Sequence, residues 1–336
     1  MIILTNSLAE KVDEGALKVA TSLIKRIKKA HSDVTIISYG HQTENADICL
    51  SVNKLLLNKA LIKTIWQKKE LVLYFPFPAR TLANSIRTWI LSRYARYGLK
   101  VCFVQQYSIN KLAKFLLRHS GAEIITLSKQ AYEFYIDVVG KHVTYLKAGI
   151  DSEKFVPVGK DIKHQLQKKY NVCSGKKVVL HVGHLSEGRN IRQLLKVGPE
   201  YHVFIVVSTL TKDKWDEQLR TDLMNRPNTT IIDEYIPNIE EIYQMADVYF
   251  FPVQEFGHCI DVPLSALEAA ACNLPIVTTP FGELKELLGR EGFYQIESFE
   301  AEFLNDLLQI ACTEKKNTRE SVLEYDWNLA VNALIK

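Results

Sequence analysis

Long apolar runs are missing from this 336-residue chain. The best candidates, such as LVLYFPFPA from Leu71, are cut by proline well short of the ~18 residues a spanning helix needs. The start, MIILTNSLAEKVDEG, lacks the basic opening of a secretory signal and turns acidic at once, so a cytoplasmic protein is expected. The six cysteines (Cys49, Cys102, Cys173, Cys259, Cys272 and Cys312) form no CxxC pair and do not cluster. That argues for reduced thiols and against structural zinc. Short-period repeats and low-complexity segments are absent. So is any recognised nucleic-acid module or aromatic platform, and nucleic acid is not an expected partner.

What remains is ordinary globular composition, 47% apolar and 24% charged, enough for two cores in a length that suits about two domains. The net charge of +4 hides an asymmetry. Residues 1–150 hold 22 Lys and Arg against 10 Asp and Glu, whereas 151–336 hold 20 against 28. A basic first half suggests an anionic partner such as a membrane surface or a phosphorylated acceptor.

Short β-rich runs alternate with helical patterns. IILT precedes a helix whose stripe is Leu17, Ala20, Leu23, Ile24 and Ile27. Strands are expected at VTIISY (from Val34), LVLYF (Leu71), KVCFV (Lys100) and EIITLS (Glu123). The second half repeats the alternation at KVVLHVG (Lys177), YHVFIVV (Tyr201), TTIID (Thr229), VYFFP (Val248) and PIVTT (Pro275). The fold class is α/β, with two facing Rossmann-like domains, parallel sheets and an interdomain cleft. The expected divisions are 1–148, a linker at 149–172, a second domain at 173–318 and a closing helix at 319–336. Ligands in such sheets bind beyond the carboxyl ends of the strands, where helix N-termini attract phosphate.

Three stretches carry candidate chemistry. In DVPLSALEAAACNLPIVTT, Ser265 and Glu268 have capping-box spacing, Ser265 as N-cap and Glu268 three residues on. The competing reading is a carboxylate that grips a vicinal diol, such as a ribose. In HVGHLSEGRNIRQLL, Gly183 ends a strand, a loop carries His184 and Arg189, and a helix is expected from about Asn190. That suits a pyrophosphate, or is merely a βα loop with a solvated arginine. In IPNIEEIYQMADVYFFP, Asn238 and Glu241 form a second capping box, for which packing suffices.

Taken together, YLKAGIDSEKFVPV, VVLHVGHLSEGRNIRQLL, IEEIYQMADVYFFP and PLSALEAAACNLPIVTTPFGELKELL resemble, in order and spacing, the motifs of the retaining family 4 glycosyltransferases of GT-B fold. The resemblance spans about Tyr145 to Leu288. It implies a nucleotide-sugar donor, UDP-sugar favoured, and a lipid-linked or saccharide acceptor in cell-surface glycan or glycolipid synthesis. It places Glu268 on the donor ribose, Arg189 on the diphosphate, and Gly15 in a glycine loop over the phosphates. Gly183, Leu264 and Ser265 complete the donor set, and PFGE from Pro280 lies near a second glycine loop. No cofactor and no metal are implied, because cations and helix N-termini supply the electrostatics.

The chain departs from that pattern at three points. Ile260 stands where a second glutamate is usual, and Asp261 or Glu255 can supply the carboxylate, Asp261 by the smaller shift. His184 replaces an arginine, and Gln105 or Gln106 stands where an acceptor-domain histidine is common. These departures leave a non-catalytic GT-B-like binding or scaffolding subunit as the alternative. A sugar-nucleotide epimerase would need a denser histidine and acid cluster. Two basic segments, 53–69 and 83–100, combine cations with Trp66, Trp89 and Tyr94. Arg87, Trp89, Arg93 and Arg96 are the expected acceptor or membrane contacts of a peripheral enzyme at an anionic membrane face. Packing on the sheet is the competing reading.

Overall fold

All ten strands expected from the β-branched runs form, and each joins one of two parallel sheets. The computed structural model describes residues 1–5, 15–39, 46–50, 63, 65–66, 71–76, 81–95, 98–104, 109–140, 142–208, 216–255, 257–314 and 316–335. The chain divides into two units, Met1–Ala148 with Trp327–Lys336, and Gly149–Asp326.

In the first unit the strands are β1 (Ile2–Thr5), β2 (Thr35–Tyr39), β3 (Ile48–Leu50), β4 (Val72–Phe75), β5 (Leu99–Phe103), β6 (Glu123–Thr126) and β7 (Val143–Tyr145). They lie in the order β3-β2-β1-β4-β5-β6-β7, all parallel. The crossovers include α1 (Gly15–Ala30), α2 (Thr81–Tyr94), α3 (Lys111–Arg118) and α4 (Lys129–Val139). Parallel strands covered on both faces must be apolar throughout, and Ile2 to Leu4 and Val72 to Phe75 are all buried. Each such aliphatic side chain removed from water contributes about 1.5–3 kcal/mol. α1 buries Ala20, Leu23, Ile24 and Ile27 as the stripe requires, with Val19 deeper than Leu17, and closes on Lys28 and Lys29, which suit its negative end.

In the second unit β8 (Lys177–Gly183), β9 (Tyr201–Val207), β10 (Thr229–Ile232), β11 (Val248–Phe251), β12 (Ile276–Thr278) and β13 (Phe293–Gln295) pair in the order β10-β9-β8-β11-β12-β13. Around this sheet run α5 (Lys160–Lys169), α6 (Glu217–Asn225), α7 (Ile239–Met245), α8 (Leu264–Ala271) and α9 (Ala301–Thr313). α10 (Trp327–Ile335) returns to the first unit, where it packs on α1 and its Leu334 carbonyl accepts from Lys100 Nζ at 2.7 Å.

Residues 149–172, read from sequence as a linker, cluster with the second unit. α5 is fastened there by Lys163, whose Nζ lies 2.9 Å from Asp247 Oδ1 and donates to the Ala246 carbonyl at 2.6 Å. Glu241 joins the same seam, accepting from Lys169 at 2.5 Å and from the Tyr170 hydroxyl at 2.7 Å. The capping box expected at Asn238 and Glu241 is therefore incomplete. Asn238 occupies the N-cap but makes no side-chain cap bond, and the Glu241 carboxylate is engaged instead by a lysine and a tyrosine at the end of α5.

Candidate functional site

β8 has β9 on one side and β11 on the other, so the strand order reverses beside it, and ligands of such sheets bind beyond the strand ends at that reversal. The loops after β8 and β11 meet there. The chain leaving Gly183 buries Leu185 and turns through two short 3-10 segments, Glu187–Arg189 and Ile191–Lys196. The α-helix expected from Asn190 does not form. Asn190 is left-handed at φ 57, a conformation asparagine tolerates, and its Nδ2 donates to the Pro252 carbonyl at 3.2 Å.

This turn drives Arg189 inward. It is 7% exposed, its Nε donates to the His258 carbonyl at 3.0 Å, and no carboxylate among the described residues pairs with it. The solvated arginine of the bland reading is thus excluded. A guanidinium cannot shed its proton to escape burial, and a buried cation without a counter-ion costs several kcal/mol. Gly183 leaves the space that Arg189 Nη1 occupies, since a Cβ there would overlap it unless the guanidinium moved. His184, half-buried, follows it directly.

His181, which the sequence reading did not single out, points to the same spot. It is fully buried in β8, and burial pushes its pKa down to about 4 against the opposing hydrogen bond from Nδ1 to the Phe250 carbonyl at 2.9 Å. Because a carbonyl only accepts, the proton sits on Nδ1 and Nε2 is a bare acceptor with no partner among the described residues. That nitrogen lies 3.1 Å from where a Cβ on Gly183 would stand. The only signal in the sequence was a histidine inside an apolar strand. Tyr249 stacks on His181 at 6.4 Å between centroids, and its hydroxyl lies 3.1 Å from the Val182 carbonyl and 2.7 Å from Ser265 Oγ. One phenol thus ties β8, β11 and α8 together.

The capping box at Ser265 and Glu268 is overturned. Pro263 is the N-cap, its carbonyl accepting from Ala266 N at 3.1 Å and Leu267 N at 3.2 Å, and no side chain caps the helix. Leu264 and Ser265 therefore lie inside the first turn and Glu268 deeper. Glu268 is 1% exposed, with Oε2 3.1 Å from the hydroxyl of the buried Tyr243. Burial and the nearby Glu268 charge hold the Tyr243 pKa well above that of a free phenol. The Tyr243 and Tyr249 rings are 6.2 Å apart, so Glu268 and Ser265 share one aromatic support.

Of the two carboxylates considered beside Ile260, Asp261 is 4% exposed while the Glu255 side chain is 75% exposed, 3.7 Å from His258 Nε2. Ile260 is buried. The Asp261 carbonyl accepts from Glu283 N at 2.8 Å, across Gly282 at φ +51, where a Cβ would overlap that carbonyl oxygen. Glu283, a second residue missed in the sequence, is fully buried and accepts from the Tyr325 hydroxyl.

The remaining candidates belong to the first unit. Gly15 opens α1. Arg87 does not face outward, as its membrane role requires. It is 9% exposed, with Nη1 3.3 Å from Asn84 Oδ1, in a buried face of α2 that also holds Ser85 and Thr88. Arg93 is exposed and lies over the half-buried Trp89 at 5.0 Å. Arg96, Gln105, Gln106 and most of 53–69 fall outside the described residues. Among the described residues no three His, Cys, Asp or Glu are grouped to hold a metal ion, and no helix is long and apolar enough to cross a membrane.

Residues 176–312 match the family described as Glycosyl transferases group 1. No curated protein matches by sequence. Among solved structures, a glycosyltransferase from Rickettsia africae is 14% identical, with 99% of this chain and 96% of that chain covered and a TM-score of 0.77. Alr3699/HepE of Anabaena, in complex with UDP, is 17% identical over 99% and 98% of the two chains, at 0.73. The α,α-trehalose 6-phosphate synthase of Burkholderia multivorans is 9% identical over 100% and 97%, at 0.70. These likenesses show the GT-B fold.

Proposed function

We propose that this chain, whose residues 176–312 match the group 1 glycosyl transferases and whose fold is GT-B, is a glycosyltransferase that moves a sugar from UDP to a lipid-linked or saccharide acceptor. The observation that carries the donor reading is Arg189, a buried cation without a carboxylate, lying on Gly183 beyond the end of β8. Such a charge awaits an anion, and a departing nucleoside diphosphate supplies one. Uridine is favoured because the Anabaena structure of this fold holds UDP.

In this reading Arg189 neutralises the diphosphate as the glycosidic bond breaks, aided by His184. Glu268, held by Tyr243, takes the ribose hydroxyls, and Leu264 and Ser265 line the same approach. Asp261, buried beside Ile260, stands in for the usual second carboxylate. Transfer proceeds with retention, the acceptor attacking from the side the phosphate leaves, so no protein nucleophile and no metal are required. The charge excess of the first half supports work at an anionic membrane face, in cell-surface glycan or glycolipid synthesis.

The second reading, a non-catalytic subunit, is favoured by Ile260 and His184. Calorimetric titration with UDP and with GDP tests the donor site. Binding of one nucleotide, lost in Glu268→Ala with the fold intact, supports it. Release of free UDP from a UDP-sugar only when acceptor is added separates the enzyme from the subunit.

A further inference from the structure

α3, Lys111–Arg118, carries no acidic residue among its eight. At about 100° per residue, Lys111, Lys114 and Arg118 fall within about 60° of one another, and Phe115, His119 and Leu112 fill the next arc. Leu112 is 54% and Phe115 56% exposed, while Ala113 and Leu117, opposite, are buried. The Phe115 ring packs on His119 at 4.2 Å. The far edge is closed by α2, whose Arg93 Nη2 donates to the His119 carbonyl at 3.3 Å and whose Trp89 lies under the same guanidinium. Two large apolar side chains thus stand in water with cations on both flanks. After α3 the next acidic side chains along the chain are Glu123 on β6, which pairs with Lys100, and then Glu133 and Asp137 on α4.

We infer that this face is where the first unit meets an anionic lipid bilayer. The inference deepens the membrane reading above and moves the contact from the inward Arg87 to α3. Charge complementarity names the occupant. Lipid phosphates match Lys111, Lys114, Arg118 and Arg93, and a bilayer also offers hydrocarbon to Leu112 and Phe115. The lysine stems cover apolar surface while their ammonium groups stay at the phosphates. A soluble polyanion would engage the cations and leave both apolar side chains wet.

Co-sedimentation of the full chain with phosphatidylcholine vesicles, with and without phosphatidylglycerol, tests this. The wild type is expected to pellet with the anionic vesicles and not with phosphatidylcholine alone. Lys111→Gln, Lys114→Gln and Arg118→Gln together should weaken partitioning about 100-fold, at about 5-fold per cation. Leu112→Ser with Phe115→Ser should weaken it by about 10-fold or more. Phe303→Ser, an exposed apolar control on α9, should change nothing, and melting curves should confirm that all variants fold. If the wild type pellets and both sets of α3 variants pellet equally well, the face is wrong and the membrane reading survives. If only the cation variant loses binding, the bilayer contact is refuted in favour of a soluble polyanion. If the wild type never pellets, inference and membrane reading fall together, while nucleotide titration still judges the donor site.

Discussion

The Tyr243 hydroxyl lies 3.1 Å from Glu268 Oε2, and neither side chain reaches solvent. A buried carboxylate held this way is positioned before any ligand arrives. Tyr243→Phe should lower stability by about 1.5–3 kcal/mol, the usual worth of a hydrogen bond to a charged group. Glu268→Ala should weaken UDP binding about 10- to 100-fold by the same reckoning. Urea titration and calorimetry on both single variants and the double variant measure the coupling. An additive double variant would show that the contact carries no energy.

Arg189 should show the opposite trade between stability and binding. Replacing it with methionine removes an uncompensated buried charge, so the unliganded protein should gain about 1–3 kcal/mol. UDP affinity should fall at least about 10-fold, the loss of one charge-assisted contact. A variant that is neither stabilised nor impaired in UDP binding would remove Arg189 from the donor site.

His181 makes stability depend on pH. Its folded pKa of about 4 lies below the unfolded value, so the unfolded chain takes up its proton first as pH falls. The stability this residue contributes is therefore full above about pH 6.5 and drains away down to about pH 4, by at most about 3 kcal/mol. His181→Asn keeps a donor towards the Phe250 carbonyl and should flatten that acid limb in urea melts from pH 7 to 4. An unchanged slope would place the titration elsewhere.

Arg319 donates to three carbonyls, of Ser152 at 2.8 Å, Phe155 at 2.5 Å and Ala271 at 2.6 Å, the last at the carboxyl end of α8. Arg319→Met strands all three and should destabilise the protein by about 3–5 kcal/mol. Differential calorimetry should find a clear fall in the melting temperature. A shift within error would mean that water replaces the guanidinium.

The sheets were legible because buried parallel strands announce themselves by runs of Ile, Val and Phe. The three strands not foreseen, β3, β7 and β13, are three-residue edge strands, which cover less core and carry a weaker pattern. Spacing misled where a side chain had a distant rival for its partner. Glu268 is 25 residues from Tyr243, and Glu241 is 71 from Tyr170. Neither pairing can be read from three-residue spacing. Arg87 looked like surface charge because the polar face of α2 is the one it buries. The candidate site residues came from the resemblance, whereas His181 and Glu283 were missed, because their surroundings depend on Phe250 and Gly183 and on Tyr325, which are distant in sequence.

The first unit is written in two stretches, 1–148 and 327–336, with the whole second unit between them. On the ribosome this order has a kinetic consequence. Residues 149–326 emerge as one uninterrupted piece and can fold as soon as they clear the exit tunnel. The first unit must wait for residues 327–336 before α10 can pack on α1. Until then the part of α1 that α10 contacts stays uncovered, so the earlier-synthesised half is the later one to mature.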